Sequence, residues 1–263
     1  MATVNEIFNY FEKIVPTSLK MESDNPGFLA GDGNRDVKKV MLALDITEEV
    51  IQEAREYGAE LILSHHPMFF DLKNVSTRDL NGRKVVALLE NHMAAICLHT
   101  NLDAVQGGVN DTLLECLGAR TEGILEPYGT APDGQPYGMG RYGTVEETTL
   151  PEFLAFVKEA LHANGLRYID AGRPVHRIAV VGGSGGGMVT DAVNAGCDTY
   201  VTADIKHSVF LEAKARGINL IDAGHYSTEN VVIPVLEKLL KAGFPELETK
   251  ISTVHRQPEQ YYV

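Results

Sequence analysis

The feature that most constrains this chain is a repeated exchange between short apolar runs and amphipathic helical stretches. VKKVMLALD predicts a strand, and ITEEVIQEAREYG predicts a helix opened by Thr47 and closed by Gly58. AELILS, the helical NGRKVVALLENH, AAICLHT and the helical VNDTLLECLG continue the pattern. It resumes in PEFLAFVKEALHANG, RIAVVGG, a helix beyond the glycines, DTYVTAD, HSVFLEAKARG and INLIDAG. A last helix is expected from Ser227 to Lys241, with Pro234 kinking it or delaying its regular start. Alternation of this kind argues for α/β architecture, with parallel or mixed sheets covered by helices. Between about residues 120 and 150 the glycines and prolines of EPYGTAPDGQPYGMGRYG predict a long turn-rich excursion joining two units.

With 263 residues the chain can bury one large core or two closely packed lobes. No apolar run approaches the ~18 residues needed to cross a bilayer. The start, MATVNEIFNYFEKIVP, reads as an acidic amphipathic helix without the basic opening or cleavage site of a signal peptide, so a cytoplasmic location is expected. A formal charge of −13 argues against nonspecific binding to nucleic acid or anionic membranes. The three cysteines, Cys97, Cys116 and Cys197, lack CxxC spacing and read as small core residues, not thiolate ligands.

Four of the expected strands run into polar groups. LILS leads to His65 and His66, AICL to His99 and Asp103, YVTA to Asp204, and LIDAG to His225 with Glu229 four residues on. In open α/β sheets, ligands collect beyond the carboxyl ends of strands. Imidazole and carboxylate suit first-row divalent ions, and a carboxylate can bridge two of them. Adjacent side chains on extended backbone diverge, so His65 and His66 suit two ions better than one, and Pro67 holds His66 extended. Each piece alone also fits a plainer reading: a hydrogen-bonded surface pair, a polar turn in which Asp103 caps a helix, an accidental HxxxE. GGSGGG fits neither common phosphate-loop spacing and reads as a tight strand-to-helix turn. His92, His162, His176 and His255 show no partner pattern and read as structural.

Taken in order, ESDNPGFLAGD, VMLALDITEEVIQEA, AELILSHHPMFF, HTNLDAVQGGVNDTL, GMGRYG, VVGGSGGG, TADIKHS and DAGHYSTEN resemble the NIF3-like family, described as type 2 homologues of GTP cyclohydrolase I. The resemblance implies two α/β lobes with mixed sheets, residues 1–124 with 227–263 and residues 125–226, with a metal site in the cleft between them. It also implies a dinuclear ligand set of His65, His66, Asp103, His225 and Glu229, with His99 close by, and a ring-shaped homohexamer. Ser23 departs from the family pattern, which often has Trp there. The expected cofactors are two divalent ions per chain, zinc, iron or manganese. The expected activity is that of a metal-dependent hydrolase of the cyclohydrolase kind on a nucleotide or other small molecule, with Glu229 bridging and Asp204 or His207 as acid/base candidates. The rivals are a phosphoesterase using the same ions and a non-catalytic metal-binding scaffold.

Overall fold

A computed structural model describes residues 2–262. The chain divides into two compact units, one of residues 2–102 with 233–256 and one of residues 103–232 with 257–262. The sequence expectation placed the divisions near 124 and 227. The α5 helix, Val109–Cys116, lies in the second unit because Leu113 and Leu114 bury in the same cluster as Phe153, Ile178 and Ile221.

In chain order the first unit begins with β1 (Ala2–Thr3), α1 (Val4–Ile14), β2 (Gly27–Ala30), β3 (Asp36–Val37) and β4 (Lys39–Ala43). It continues through α2 (Glu48–Tyr57), β5 (Leu61–Ser64), α3 (Leu80–Glu90) and β6 (Ala94–Cys97) to α4 (Thr100–Ala104), within which the division falls. After α5 the second unit holds β7 (Gly123–Thr130), β8 (Pro136–Thr148), α6 (Leu150–Ala160), β9 (Arg167–Ile169) and β10 (Val175–Val180). There follow α7 (Val189–Asn194), β11 (Thr199–Thr202), α8 (His207–Arg216), β12 (Asn219–Asp222) and α9 (His225–Glu229). The chain then returns to the first unit as α10 (Ile233–Gly243) and β13 (Glu248–Ile251).

The main sheet of the first unit runs β13-β4-β5-β6-β2, parallel except for the antiparallel edge strand β2. Its strands β4, β5 and β6 are buried almost throughout, as strands covered on both faces must be. Met41, Ile62, Ala95, Val50, Ala54 and Leu88 pack into one cluster that seats α2 and α3 on the sheet. Thr47 caps α2 by accepting from the Val50 N–H, and Gly58 closes that helix at φ 77°, as the sequence predicted.

The sheet of the second unit runs β7-β8-β10-β11-β12-β9, with β10, β11 and β12 parallel and the outer strands antiparallel. The segment expected to be a turn-rich excursion is in fact the β7–β8 hairpin, which carries the longest strand among the described residues. Its glycines serve close approach more than turning: a Cβ on Gly143 would stand 2.1 Å from the Arg120 carbonyl oxygen. Pro127 is tolerated because β7 is an edge strand. The last predicted helix is broken in two: α9 ends at Glu229, a 3₁₀ turn spans Asn230–Val232, and Pro234 falls in the first turn of α10, where its missing N–H costs nothing.

A candidate metal centre

The first unit gathers three imidazoles beyond the carboxyl ends of its parallel strands. His65 and His66 follow β5, and His99 follows β6. One ligand-type atom from each lies within 4.8 Å of the others, and the ring centroids stand 5.0 to 5.4 Å apart. The backbone pins them. His66 N–H donates to the Leu44 carbonyl at 2.8 Å, and the Ser64 hydroxyl donates to the His66 carbonyl at 2.8 Å.

Each ring has its Nδ1 committed. His65, fully buried, donates from Nδ1 to the Leu98 carbonyl at 2.8 Å. A carbonyl can only accept, so in the neutral ring the lone pair sits on Nε2. His66 Nδ1 meets Asp45 Oδ1 at 2.7 Å, and His99 Nδ1 meets Asp24 Oδ1 at 2.7 Å. Burial would raise the Asp24 carboxyl, but hydrogen bonds from His99, Thr100 and the Asn25 N–H outweigh it and hold the group well below the usual carboxylate range. Asp45 is likewise pushed up by burial and pulled further down by His255 and His66. Both carboxylates therefore stay ionised at neutral pH and accept from the rings in front of them.

The second unit holds two buried carboxylates and one imidazole. Asp103 is 6% exposed and Glu229 is 3% exposed, and an oxygen of each lies within 4.8 Å of the other. The Asp103 backbone is held in place by Asn110 Nδ2 donating to its carbonyl at 3.0 Å. The buried Arg141 guanidinium donates to the next two carbonyls, of Ala104 and Val105, at 3.0 and 3.1 Å. His225 and Glu229 occupy the ends of α9, one turn apart, and His225 Nε2 stands 2.9 Å from Glu229 Oε2. On the other side, His225 Nδ1 meets Asp204 Oδ2 at 2.7 Å.

Asp204 holds a left-handed backbone at φ 55°, a conformation Asp tolerates better than most residues. The next residue fixes it: Ile205 N–H donates to Asp222, and its carbonyl accepts from Arg167. Asp204 thus sits behind His225, where it orients that ring. His207 opens α8 on the exposed surface and stands outside the hydrogen-bonded set around His225 among the described residues.

The glycine turn after β10 is the tight strand-to-helix connection expected of it, and it serves the site sterically. A Cβ on Gly183 would fall 2.1 Å from Glu229 Oε1 and 3.0 Å from His225 Nε2. The Gly183 N–H donates to Thr228 Oγ1 at 3.0 Å, drawing the turn onto α9.

Sequence reasoning missed three partners. Asp45 ends β4 in the same position that drew attention to the other candidates, so applying the strand-end rule to VMLALD would have found it. Asp24 lies in a turn ahead of β2, with no periodic signal to mark it. His255, read as structural, has its Nε2 2.8 Å from Asp45 Oδ2. Ser23, the departure from the family pattern, is exposed beside Asp24.

Four imidazoles with Nδ1 held by a carboxylate or carbonyl, together with two buried carboxylates, define a class of protein whose side chains suit divalent metal ions. Over residues 2–258 the chain matches the sequence profile of Duf34/NIF3 (NGG1p interacting factor 3), and it belongs to that family. A relative from Clostridium perfringens, named GTP cyclohydrolase 1 type 2 homolog, is 38% identical over 262 residues, covering 98% of this chain and 99% of the relative. The solved structure of a Bacillus cereus protein related to NIF3 superposes with a TM-score of 0.92 at 26% identity, covering 100% of this chain and 99% of that one. A Staphylococcus aureus hypothetical protein, SA1388, gives 0.91 at 31% identity and 99% coverage of both chains. No helix among the described residues is long and apolar enough to cross a membrane.

Proposed function

We propose that His65, His66, His99, Asp103, His225 and Glu229 hold two divalent ions, zinc, iron or manganese. The protein would then be a metal-dependent hydrolase acting on a nucleotide or other small molecule. The observation that carries this is the contact between His225 Nε2 and Glu229 Oε2 at 2.9 Å while His225 Nδ1 is already turned to Asp204. A neutral ring that donates from Nδ1 presents a lone pair at Nε2, and a lone pair facing a carboxylate oxygen calls for a shared cation or a proton. The donor set fits a metal: imidazole nitrogens for affinity and carboxylates for charge.

Two bound ions would supply Lewis acidity and an activated water near neutral pH. The chain's own residues do the rest. Asp24, Asp45 and Asp204 fix the tautomers of His99, His66 and His225. Glu229 and Asp103 supply negative charge, with Glu229 the candidate bridge. The name carried by the relative from Clostridium perfringens supports cyclohydrolase chemistry on a purine nucleotide as the first reaction to assay. We also propose a cytoplasmic homohexamer.

The test begins with metal. Protein purified without chelators should carry up to two divalent ions per chain by elemental analysis. No metal, and no uptake of Zn²⁺, Mn²⁺ or Fe²⁺ on titration, sinks the centre. Metal-loaded protein is then offered GTP. Ring opening, followed by its absorbance change, supports the cyclohydrolase reading, and phosphate release replaces it with a phosphoesterase. Intact nucleotide with both ions bound removes the cyclohydrolase reading. Light scattering that returns a monomer mass removes the hexamer.

A further inference from the structure

We propose that His255 is a positioning residue of the metal centre, setting the orientation of His66 through the second oxygen of Asp45; the inference rests on the reading of His66 as a metal ligand. Asp45 stands between two rings, with Oδ1 2.7 Å from His66 Nδ1 and Oδ2 2.8 Å from His255 Nε2. A carboxylate held at one oxygen can still rotate and take the ring in front of it along. An imidazole 2.8 Å from the other oxygen restricts that rotation.

The other carboxylate behind a histidine in this unit obeys the same rule. Asp24 Oδ1 faces His99, while its Oδ2 accepts from the Thr100 N–H and the Thr100 hydroxyl. His255 does for Asp45 what Thr100 does for Asp24, but it comes from the other end of the chain. It needs a fixed base, and it has one. The side chain is 10% exposed, and the His255 N–H donates to Ser252 Oγ at 3.3 Å. Ser252 Oγ in turn donates to Glu53 Oε2 at 2.6 Å, and Thr253 donates to Glu53 through both N–H and hydroxyl. Glu53 lies on α2, so residues 252–255 form a strap tied to the helix that follows Asp45.

The experiment uses Co²⁺ as the probe on the full-length chain. Affinity is measured by competition with a chelator, and ligand geometry by the visible d–d spectrum. Removing a group behind a ligand typically costs about 10–100-fold in affinity, and a residue one step further out belongs at the low end. His255→Ala should therefore weaken Co²⁺ binding about 10-fold and alter the spectrum. His255→Gln, which returns an N–H donor, should recover both. Ser252→Ala, which loosens the strap but leaves the His255 ring and Asp45 in place, should give a smaller loss than His255→Ala. Should the alanine variant not fold, His255→Leu keeps the bulk without the donor and is read the same way. Wild-type affinity and spectrum in the variants lacking the donor overturn the inference. So does failure of His255→Gln to recover them, or a loss in Ser252→Ala larger than that in His255→Ala. Wild-type protein that takes up no Co²⁺ overturns the metal reading itself, and this inference with it.

Discussion

The two units bring different chemistry to their strand ends. The first offers three imidazoles, of which His99 and His66 have the carboxylates of Asp24 and Asp45 behind them. The second offers two buried carboxylates, Asp103 and Glu229, and a single imidazole. Neutral nitrogens select the kind of ion, and buried charge decides whether it stays. If Asp103 and Glu229 hold a metal as proposed, the ion would offset the cost of burying their charge. The first unit is prepared instead through orientation, with every Nδ1 spoken for. On the proposed reading, selection and retention would be divided between two stretches of sequence.

That division can be broken from the carboxylate side. Glu229→Gln should have the largest effect, a loss of metal affinity greater than the roughly 10–100-fold that follows from removing a group behind a ligand. Equal metal content in variant and wild type after dialysis against a weak chelator would remove Glu229 from the ligand set. Gly183→Ala comes next, because it moves the same carboxylate without deleting its charge. Its Cβ would collide with Glu229 Oε1, and the left-handed φ of 62° adds about 1–2 kcal/mol of backbone cost. Calorimetric titration and chemical denaturation should report both losses, and a variant that binds metal normally would show that Glu229 can shift without consequence. Asp204→Asn should be milder, about 10–100-fold in affinity, since the amide can still approach His225 but no longer carries the charge that favours the ring's Nδ1–H. If it matched Glu229→Gln, the distinction between holding a metal and orienting a ligand would fail.

The smallest expected effect on metal, though not on stability, lies at Glu53. Burial alone would raise this carboxyl, but Ser252, Lys250 and Thr253 bring it down from its ordinary 4.5 to about 2. A depressed folded value means stabilisation that is present above about 4.5 and is lost as pH falls toward about 2. Glu53→Gln should therefore lower stability at neutral pH by on the order of 2 kcal/mol, with the gap to wild type closing between those two values. Urea unfolding across that range checks it, and a gap independent of pH would show that the charge is not what matters.

Much of this was readable from the sequence because it depended on local periodicity. The strands ending at Ser64, Cys97, Thr202 and Asp222 were visible as apolar runs, and the polar groups beyond them followed. The β7–β8 hairpin was hidden because glycine and proline, strong turn signals, here serve an edge strand and close strand approach. The groups behind the histidines were harder still. Asp24 lies 75 residues from His99, and no local pattern announces a pairing at that distance. His255 was passed over for the same reason, since its partner Asp45 lies at the far end of the chain.

The return of the chain to its first unit has a kinetic consequence. β13 adds to β4 through the register Glu248↔Lys39 to Ile251↔Leu42, closing a loop that contains residues 103–232 of the second unit. Until Ile251 has been synthesised, one edge of β4 lacks its native strand, and an open edge invites pairing with another chain. Contacts of such long sequence separation form late and slowly. His65, His66 and His99 emerge from the ribosome early, yet the sheet that carries them is completed only near the end of synthesis. A nascent chain stalled before residue 248 would thus display these imidazoles on an unfinished scaffold, at the stage when aggregation competes best with folding.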